Sequence, residues 1–129
     1  MTHRFTTRVY YEDTDLAGIV YYANYLKFIE RARTEWVRGI GIDQARLKAE
    51  EGIVFAVRRI EADYLAPARF DDELEILTRT RGSTGVRLAL TQEVLRDGAV
   101  LFRAEVTLVA IGEAGQPARL PAGLRRQLH

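Results

Sequence analysis

Two hydrophobic periods divide this chain and limit what it can fold into. From Tyr25 to Ile40 the apolar residues Tyr25, Phe28, Ile29, Ala32, Trp36 and Ile40 recur at three- and four-residue spacings. Lys27, Glu30, Arg31, Arg33, Glu35 and Arg38 occupy much of the remainder, the pattern of one long, wide-faced amphipathic helix. From Ile53 to Ala110 the period drops to two, in runs that present one apolar face each. A helix with a single apolar stripe needs a cover, and alternating strands supply one. The expected class is therefore α+β, with a curved, largely antiparallel sheet of five strands wrapping a long central helix.

The strand boundaries follow from breakers and turn residues. Phe5 to Tyr11 reads as a first strand, with Phe5, Val9 and Tyr11 in one phase, before Asp13-Thr14-Asp15 and Gly18 interrupt regular structure. The helix begins near Tyr22 or Asn24, with Asn24 a candidate N-cap, and Gly39 and Gly41 stop it. Asp43 then caps a short helix to about Glu50. In residues 53–64 the apolar phase slips from Ile53, Phe55 and Val57 to Ile60, Ala62 and Tyr64, with Arg58-Arg59 at the junction. A β-bulge there would keep both apolar sets on the covered face. Leu74 to Thr80 and Val86 to Val94 form the next two strands around the Gly82-Ser83-Thr84-Gly85 turn, and Asp97-Gly98 is a two-residue hairpin signal before Val100 to Ala110.

At 129 residues the chain suits one domain, 1–129, whose segment 112–129 reads as a loosely packed extension because it holds two prolines and several small residues. Such a sheet has edges, and pairing them across a twofold axis would remove the liability and build a shared cleft, so a homodimer is expected.

Composition narrows the chemistry. There is no cysteine, the only serine is Ser83, and the two histidines, His3 and His129, lie at opposite ends. Thiol catalysis, a Ser-His-Asp triad and a zinc site therefore lack raw material. A formal charge of +1 argues against a general nucleic-acid binder, and no apolar run reaches the ~18 residues of a membrane span. With no secretory-type N-terminus the reading is cytoplasmic. Seventeen of the nineteen basic residues are Arg, which puts planar guanidinium forks at the disposal of phosphate or carboxylate partners, although solvent-facing strand arginines are the plainer account.

The loop before the helix carries the remaining chemistry. Asp13 and Asp15 stand two apart, so in an extended segment their carboxylates would point the same way and repel. A solvated turn, an Asx-cap or an arginine anchor are the structural alternatives. Gly18 permits positive φ or a close backbone approach to a ligand. The segment then enters a helix whose first N–H groups lack intrahelical acceptors and can polarise a carbonyl oxygen. A carboxylate just upstream of such amides suits hydrolysis of an activated acyl group, by direct attack or by deprotonating water.

Tyr11-Glu12-Asp13-Thr14-Asp15, Gly18-Ile19-Val20-Tyr21, Ala23 to Phe28 and Glu30 to Trp36, followed by Asp63-Tyr64, Pro67-Ala68-Arg69, Asp72 and Pro121, resemble the hotdog-fold acyl-CoA thioesterases. The likeness is to the branch associated with the Tol-Pal cell-envelope system and to the 4-hydroxybenzoyl-CoA thioesterases. The resemblance implies a thioester hydrolase that releases a free acid and CoA, with Asp15 as nucleophile or general base. It implies that the backbone N–H of Tyr22, aided by Gly18, polarises the carbonyl. The Tol-Pal branch commonly carries His where this chain has Tyr22, and tyrosine there is similar to the 4-hydroxybenzoyl-CoA type.

The family forms homodimers, often paired again into tetramers, with the acyl group entering at the subunit interface and CoA phosphates nearer the surface. On that likeness Arg58, Arg59, Arg69, Arg81 and Arg87 are candidates for phosphate or adenine contacts. Tyr21, Tyr22 and Tyr25 are candidates to line an acyl or aromatic pocket, with core packing the alternative, and Asn24 is a candidate substrate contact as well as a cap. No metal or separate cofactor is implied, since CoA is part of the substrate. An acyl carrier protein in place of CoA, and a binding module without turnover, are the alternatives the residues leave open.

Overall fold

The computed structural model describes residues 2–126. The chain runs β1 (Thr2–Arg8), a 3-10 turn (Tyr11–Asp13), α1 (Asn24–Gly39), α2 (Gln44–Glu51), β2 (Val54–Tyr64), β3 (Glu73–Ser83), β4 (Arg87–Arg96), β5 (Ala99–Ile111), β6 (Pro117–Ala118) and α3 (Ala122–Arg125). The five long strands form one sheet in the order β1-β3-β4-β5-β2, and the short β6 pairs with β5. Every ladder is antiparallel. The hotdog architecture follows, with α1 held in the concave face. No helix among the described residues is long and apolar enough to cross a membrane.

The two hydrophobic periods meet in the core. Tyr25, Phe28, Ile29, Ala32, Trp36 and Val37 of α1 are buried against Leu74, Ile76, Leu88, Leu90, Phe102 and Val106 of the sheet. Each large apolar side chain removed from water in this way contributes about 1.5–3 kcal/mol. The opposite sheet face is ionic. Glu93, only 7% exposed, lies between Arg79 at 2.9 Å and Arg103 at 3.2 Å, and Arg81 meets Glu105 at 2.7 Å.

The slip in the apolar phase is a bulge. Val57 pairs with Leu108 and Arg59 with Thr107, which leaves Arg58 as the extra residue. Beyond it Ile60, Ala62 and Tyr64 pair with Val106, Ala104 and Phe102. One inserted residue therefore returns the even-numbered apolar set to the covered face. Asp97 and Gly98 both adopt positive φ, 50° and 83°, as a tight hairpin requires. Asp43 caps α2 by accepting the Arg46 N–H at 3.1 Å, and Gly52 closes that helix in the left-handed region.

Three expectations are corrected. The first strand ends at Arg8 rather than Tyr11, because the chain peels away after Val9, whose N–H donates to Asp72 O and whose carbonyl accepts from Asp71 N. Tyr11 consequently enters a 3-10 turn and is exposed. Asn24 is the first helical residue rather than the cap, since the capping position falls on Ala23 and has no side-chain cap. The segment from 112 is not loose over its described part. Leu120 and Leu124 are each 1% exposed, and the Leu120 N–H donates to Gly85 O at 2.7 Å. Residues 127–129 lie outside the described residues.

Asp72 ties the turn after β2 to the sheet. Its Oδ2 accepts the Arg69 N–H at 2.8 Å and Arg96 Nη1 at 2.7 Å. Partial burial pushes its carboxyl up, but the Arg69 amide and the Arg96 guanidinium outweigh that and hold it below the usual carboxylate range. A depressed folded-state pKa means stability that is complete above the unfolded value near 4 and drains away as pH falls through the folded one. Thermal melts from about pH 6 to about pH 3 should therefore show the parent losing more Tm than Asp72→Asn, which has no such proton to take up. Parallel slopes for the two proteins would contradict this role of Asp72.

Candidate active site

The acidic loop is a small hairpin fastened to the start of α1. Thr14 and Val20 form an antiparallel bridge, the Asp15 N–H donates to Ile19 O, and the Gly18 N–H donates to Asp15 O, both at 2.9 Å. Gly18 turns the chain at φ 79°, and no atom lies within 4 Å of where a Cβ would sit. Glycine is required there by backbone conformation, not by crowding. A bridge from Ile19 to Arg69 and a hydrogen bond from Val20 N–H to Ala68 O at 2.8 Å fix the hairpin to the turn after β2.

The two acids do not act as a pair. Asp13 Oδ2 accepts the Tyr10 N–H at 2.8 Å and closes the 3-10 turn, whereas Asp15 Oδ1 accepts the Ala17 N–H at 2.9 Å inside its own hairpin. Competing local donors turn the side chains to separate tasks. The Asp13 carbonyl also accepts the Tyr21 N–H at 2.9 Å and Asn24 Nδ2 at 3.0 Å. Asn24 therefore stitches helix to loop. It lines neither of the two hollows described next.

A cleft of about 400 Å³ opens beside this junction, lined by Asp15, Ile19, Val20, Tyr21, Tyr22, Tyr25, Tyr64, Leu65, Ala66 and Pro67. Asp15 and Gly18 also border a shallower hollow of about 870 Å³ with Tyr11, Glu12, Thr14, Leu16 and Phe70, so the hairpin is a wall between the two. A third hollow of about 460 Å³ lies between α1 and α2, but its charged groups are already engaged, Asp43 in capping and Arg38 with Glu35. The first cleft brings a carboxylate to the start of α1, which no side chain caps, whereas in the third hollow the Asp43 carboxylate is itself the cap of α2. Tyr25, 3% exposed, forms its floor, with its ring stacked on Phe102 at 4.9 Å. The Tyr25 hydroxyl accepts the Ala68 N–H at 3.0 Å, and burial pushes this phenol up, so it stays protonated at neutral pH.

The helix start is electrically open. No acid occupies the first turn of α1 and no side chain caps it. Among the described residues, no acceptor meets the N–H of Tyr22 or Ala23. An uncompensated positive helix end beside a carboxylate is suited to hold an oxygen that gains negative charge.

Asp15, Tyr21, Tyr22 and Tyr25 thus share one cleft. The five arginines do not reach it or the hollow beside it. Arg59 pairs with Glu61 and Arg81 with Glu105, while Arg58 is exposed at the bulge and Arg87 at the start of β4. Arg69 is exposed too, but its backbone bridges the Asp15 hairpin at Ile19. Surface ion pairs of this kind are worth about 0–1 kcal/mol, so Arg59 and Arg81 are not locked in place. Sequence reasoning missed the far wall of the cleft, Tyr64 to Pro67. Tyr64 read as one more alternating core residue, and only its position at the end of β2 reveals it as wall.

Residues 9–128 match the family model for the thioesterase-like superfamily. The acyl-CoA thioester hydrolase YbgC of Escherichia coli is 45% identical over 109 residues, covering 84% of this chain and 81% of that protein. The acyl-CoA thioesterase YbgC of Haemophilus influenzae is 36% identical over 127 residues, covering 97% and 93%. Among solved structures, a probable thioesterase from Bartonella henselae superposes with a TM-score of 0.89 at 38% identity, covering 94% of this chain and 100% of that one. A 4-hydroxybenzoyl-CoA thioesterase variant complexed with 4-hydroxybenzoyl-CoA reaches a TM-score of 0.92 over 99% of each chain, and at 22% identity it speaks to the fold alone. A family match over nearly the whole chain, joined to a carboxylate and open helix amides in one cleft, makes this protein a hotdog-fold member of the thioesterase-like superfamily.

Proposed function

We propose that this protein hydrolyses acyl-CoA thioesters to a free acid and CoA in the cleft lined by Asp15, Tyr22 and Tyr25. The observation that carries the reading is the Asp15 carboxylate in the same cleft as a helix start whose Tyr22 amide has no acceptor among the described residues. The names of the YbgC relatives support it.

Two routes fit these residues. In the first, Asp15 takes a proton from water as the water oxygen bonds to the thioester carbon, and the carbonyl electron pair moves onto oxygen beside the Tyr22 N–H. Re-forming the C=O bond breaks the C–S bond, and the proton held by Asp15 returns to the leaving sulfur. In the second, Asp15 itself attacks, CoA leaves, and water cleaves the resulting mixed anhydride. The Gly18 N–H is taken by Asp15 O, so Gly18 serves both routes not as a carbonyl donor but by setting the turn that brings Asp15 to the cleft.

The acyl group would lie against Tyr21 and Tyr25, with Asn24 holding the loop to the helix. Arg58, Arg59, Arg69, Arg81 and Arg87 are proposed to meet the CoA phosphates or adenine, Arg69 being the one whose backbone touches the hairpin. An acylated carrier protein is the alternative thioester donor. We further assign residues 1–129 to one domain, the site of action to the cytoplasm, and the assembly to a homodimer or a dimer of dimers. The unpaired outer edges of β1 and β2 support that assembly.

Thiol release measured across butyryl-, palmitoyl- and benzoyl-CoA and an acyl carrier protein tests the reading. Turnover of at least one is expected. Calorimetric binding without release would instead assign a non-catalytic acyl-CoA module, and sedimentation of the same sample would give the assembly.

A further inference from the structure

Tyr64 stands at the last position of β2 and its hydroxyl donates to the backbone oxygen of Tyr22 at 2.8 Å. That oxygen is available because Tyr22 precedes the cap residue Ala23 and so lies outside the hydrogen-bond ladder of α1. The Leu26 N–H donates to Ala23 O at 3.2 Å. The peptide preceding Tyr22 is held separately, by the Asn24 N–H on Tyr21 O at 2.8 Å. Tyr22 is thus clamped on both sides, by backbone on one and by a single side chain on the other. Its own amide is left over between the clamps.

The Tyr64 ring is itself immobilised. It packs edge-on against Phe102 at 5.0 Å, Tyr25 at 5.5 Å and Tyr22 at 6.2 Å. Its facing depends on the bulge at Arg58, without which the residue would point to the opposite side of the sheet. We infer that Tyr64 is a positioning residue, whose hydroxyl fixes the Tyr22 backbone so that the Tyr22 N–H meets the thioester oxygen in the transition state. The inference rests on the hydrolase reading and adds to it a residue that acts through Tyr22 rather than on the substrate.

Tyr64→Phe keeps the ring and its packing and removes only the hydroxyl. Loss of a direct oxyanion donor costs about 10²–10³ in kcat, so loosening its support is expected to lower kcat by roughly tenfold, with KM within about twofold of the parent. The substrate is whichever of butyryl-, palmitoyl- or benzoyl-CoA the parent hydrolyses fastest. A second readout uses Asp15→Asn to trap that acyl-CoA, ¹³C-labelled at the carbonyl, for difference infrared spectroscopy. The bound C=O stretch should lie closer to its free-solution frequency in the Asp15→Asn/Tyr64→Phe protein than in Asp15→Asn alone. An unchanged kcat, a loss confined to KM, or identical carbonyl frequencies would overturn the inference. A parent inactive on all three substrates, or Asp15→Asn turning over at the parent rate, would instead remove the hydrolase reading beneath it.

Discussion

Asp15→Asn is expected to lower kcat on acyl-CoA by about 10³-fold, within the range that a positioned base contributes, while leaving the melting temperature and assembly of the protein nearly unchanged. The separation of effects follows from local geometry. Asp15 Oδ1 accepts the Ala17 N–H, and the oxygen of an asparagine amide can take over that bond, so the hairpin keeps its shape. What is lost is the ability to accept a proton or to attack carbon. Steady-state kinetics beside a thermal melt of the same preparation decide the matter. A mutant that hydrolyses at the parent rate, or one that has simply unfolded, would defeat the assignment.

Phe102→Ala should produce the largest loss of stability, about 3–5 kcal/mol. Phe102 is fully buried, so the substitution opens a cavity and also removes the face on which Tyr25 stacks at 4.9 Å. Urea denaturation with an unchanged m-value would measure the loss. Because Tyr25 and Tyr64 both rest on this ring, activity should fall even under conditions where the variant remains folded. Phe70→Ala is the contrast, since Phe70 is largely exposed and its removal should change stability by less than about 0.5 kcal/mol. A loss below 1 kcal/mol at Phe102 would mean that the core relaxes around the gap and that the floor of the cleft is not a rigid stack.

Much of this fold was legible because its elements are locally consistent. The helical spacing of Tyr25, Phe28, Ile29, Ala32 and Trp36 marks the same residues that are buried, and the Asp97-Gly98 turn required no tertiary information. The bulge was legible as well, since the slip in apolar phase around Arg58-Arg59 has few other physical solutions. Reading failed where a non-local partner competes with a local pattern. Tyr11 continues the alternation of the first strand, yet the hydrogen bonds that Val9 donates to Asp72 O and accepts from the Asp71 N–H end the ladder early. The prolines and small residues after Gly112 gave no local sign that Leu120 and Leu124 would be buried.

Asp15, Gly18 and the start of the helix lie within one continuous stretch, so residue type and spacing offered a carboxylate beside open amides as one reading among structural alternatives, and the choice of Asp15 came from the resemblance to the hotdog-fold thioesterases. The sheet-and-helix class was determined in the same way, by the change from a period of 3.6 to a period of two. Tertiary structure alone decided that Asp13 and Asp15 part company, that Asn24 binds the loop rather than caps the helix, and that Tyr64 arrives from β2 to hold Tyr22. The physical reason is range. Periodicity and turn chemistry act over a few residues and can be read along the chain, whereas the wall of a cleft is set by strand register, which brings together residues 42 positions apart.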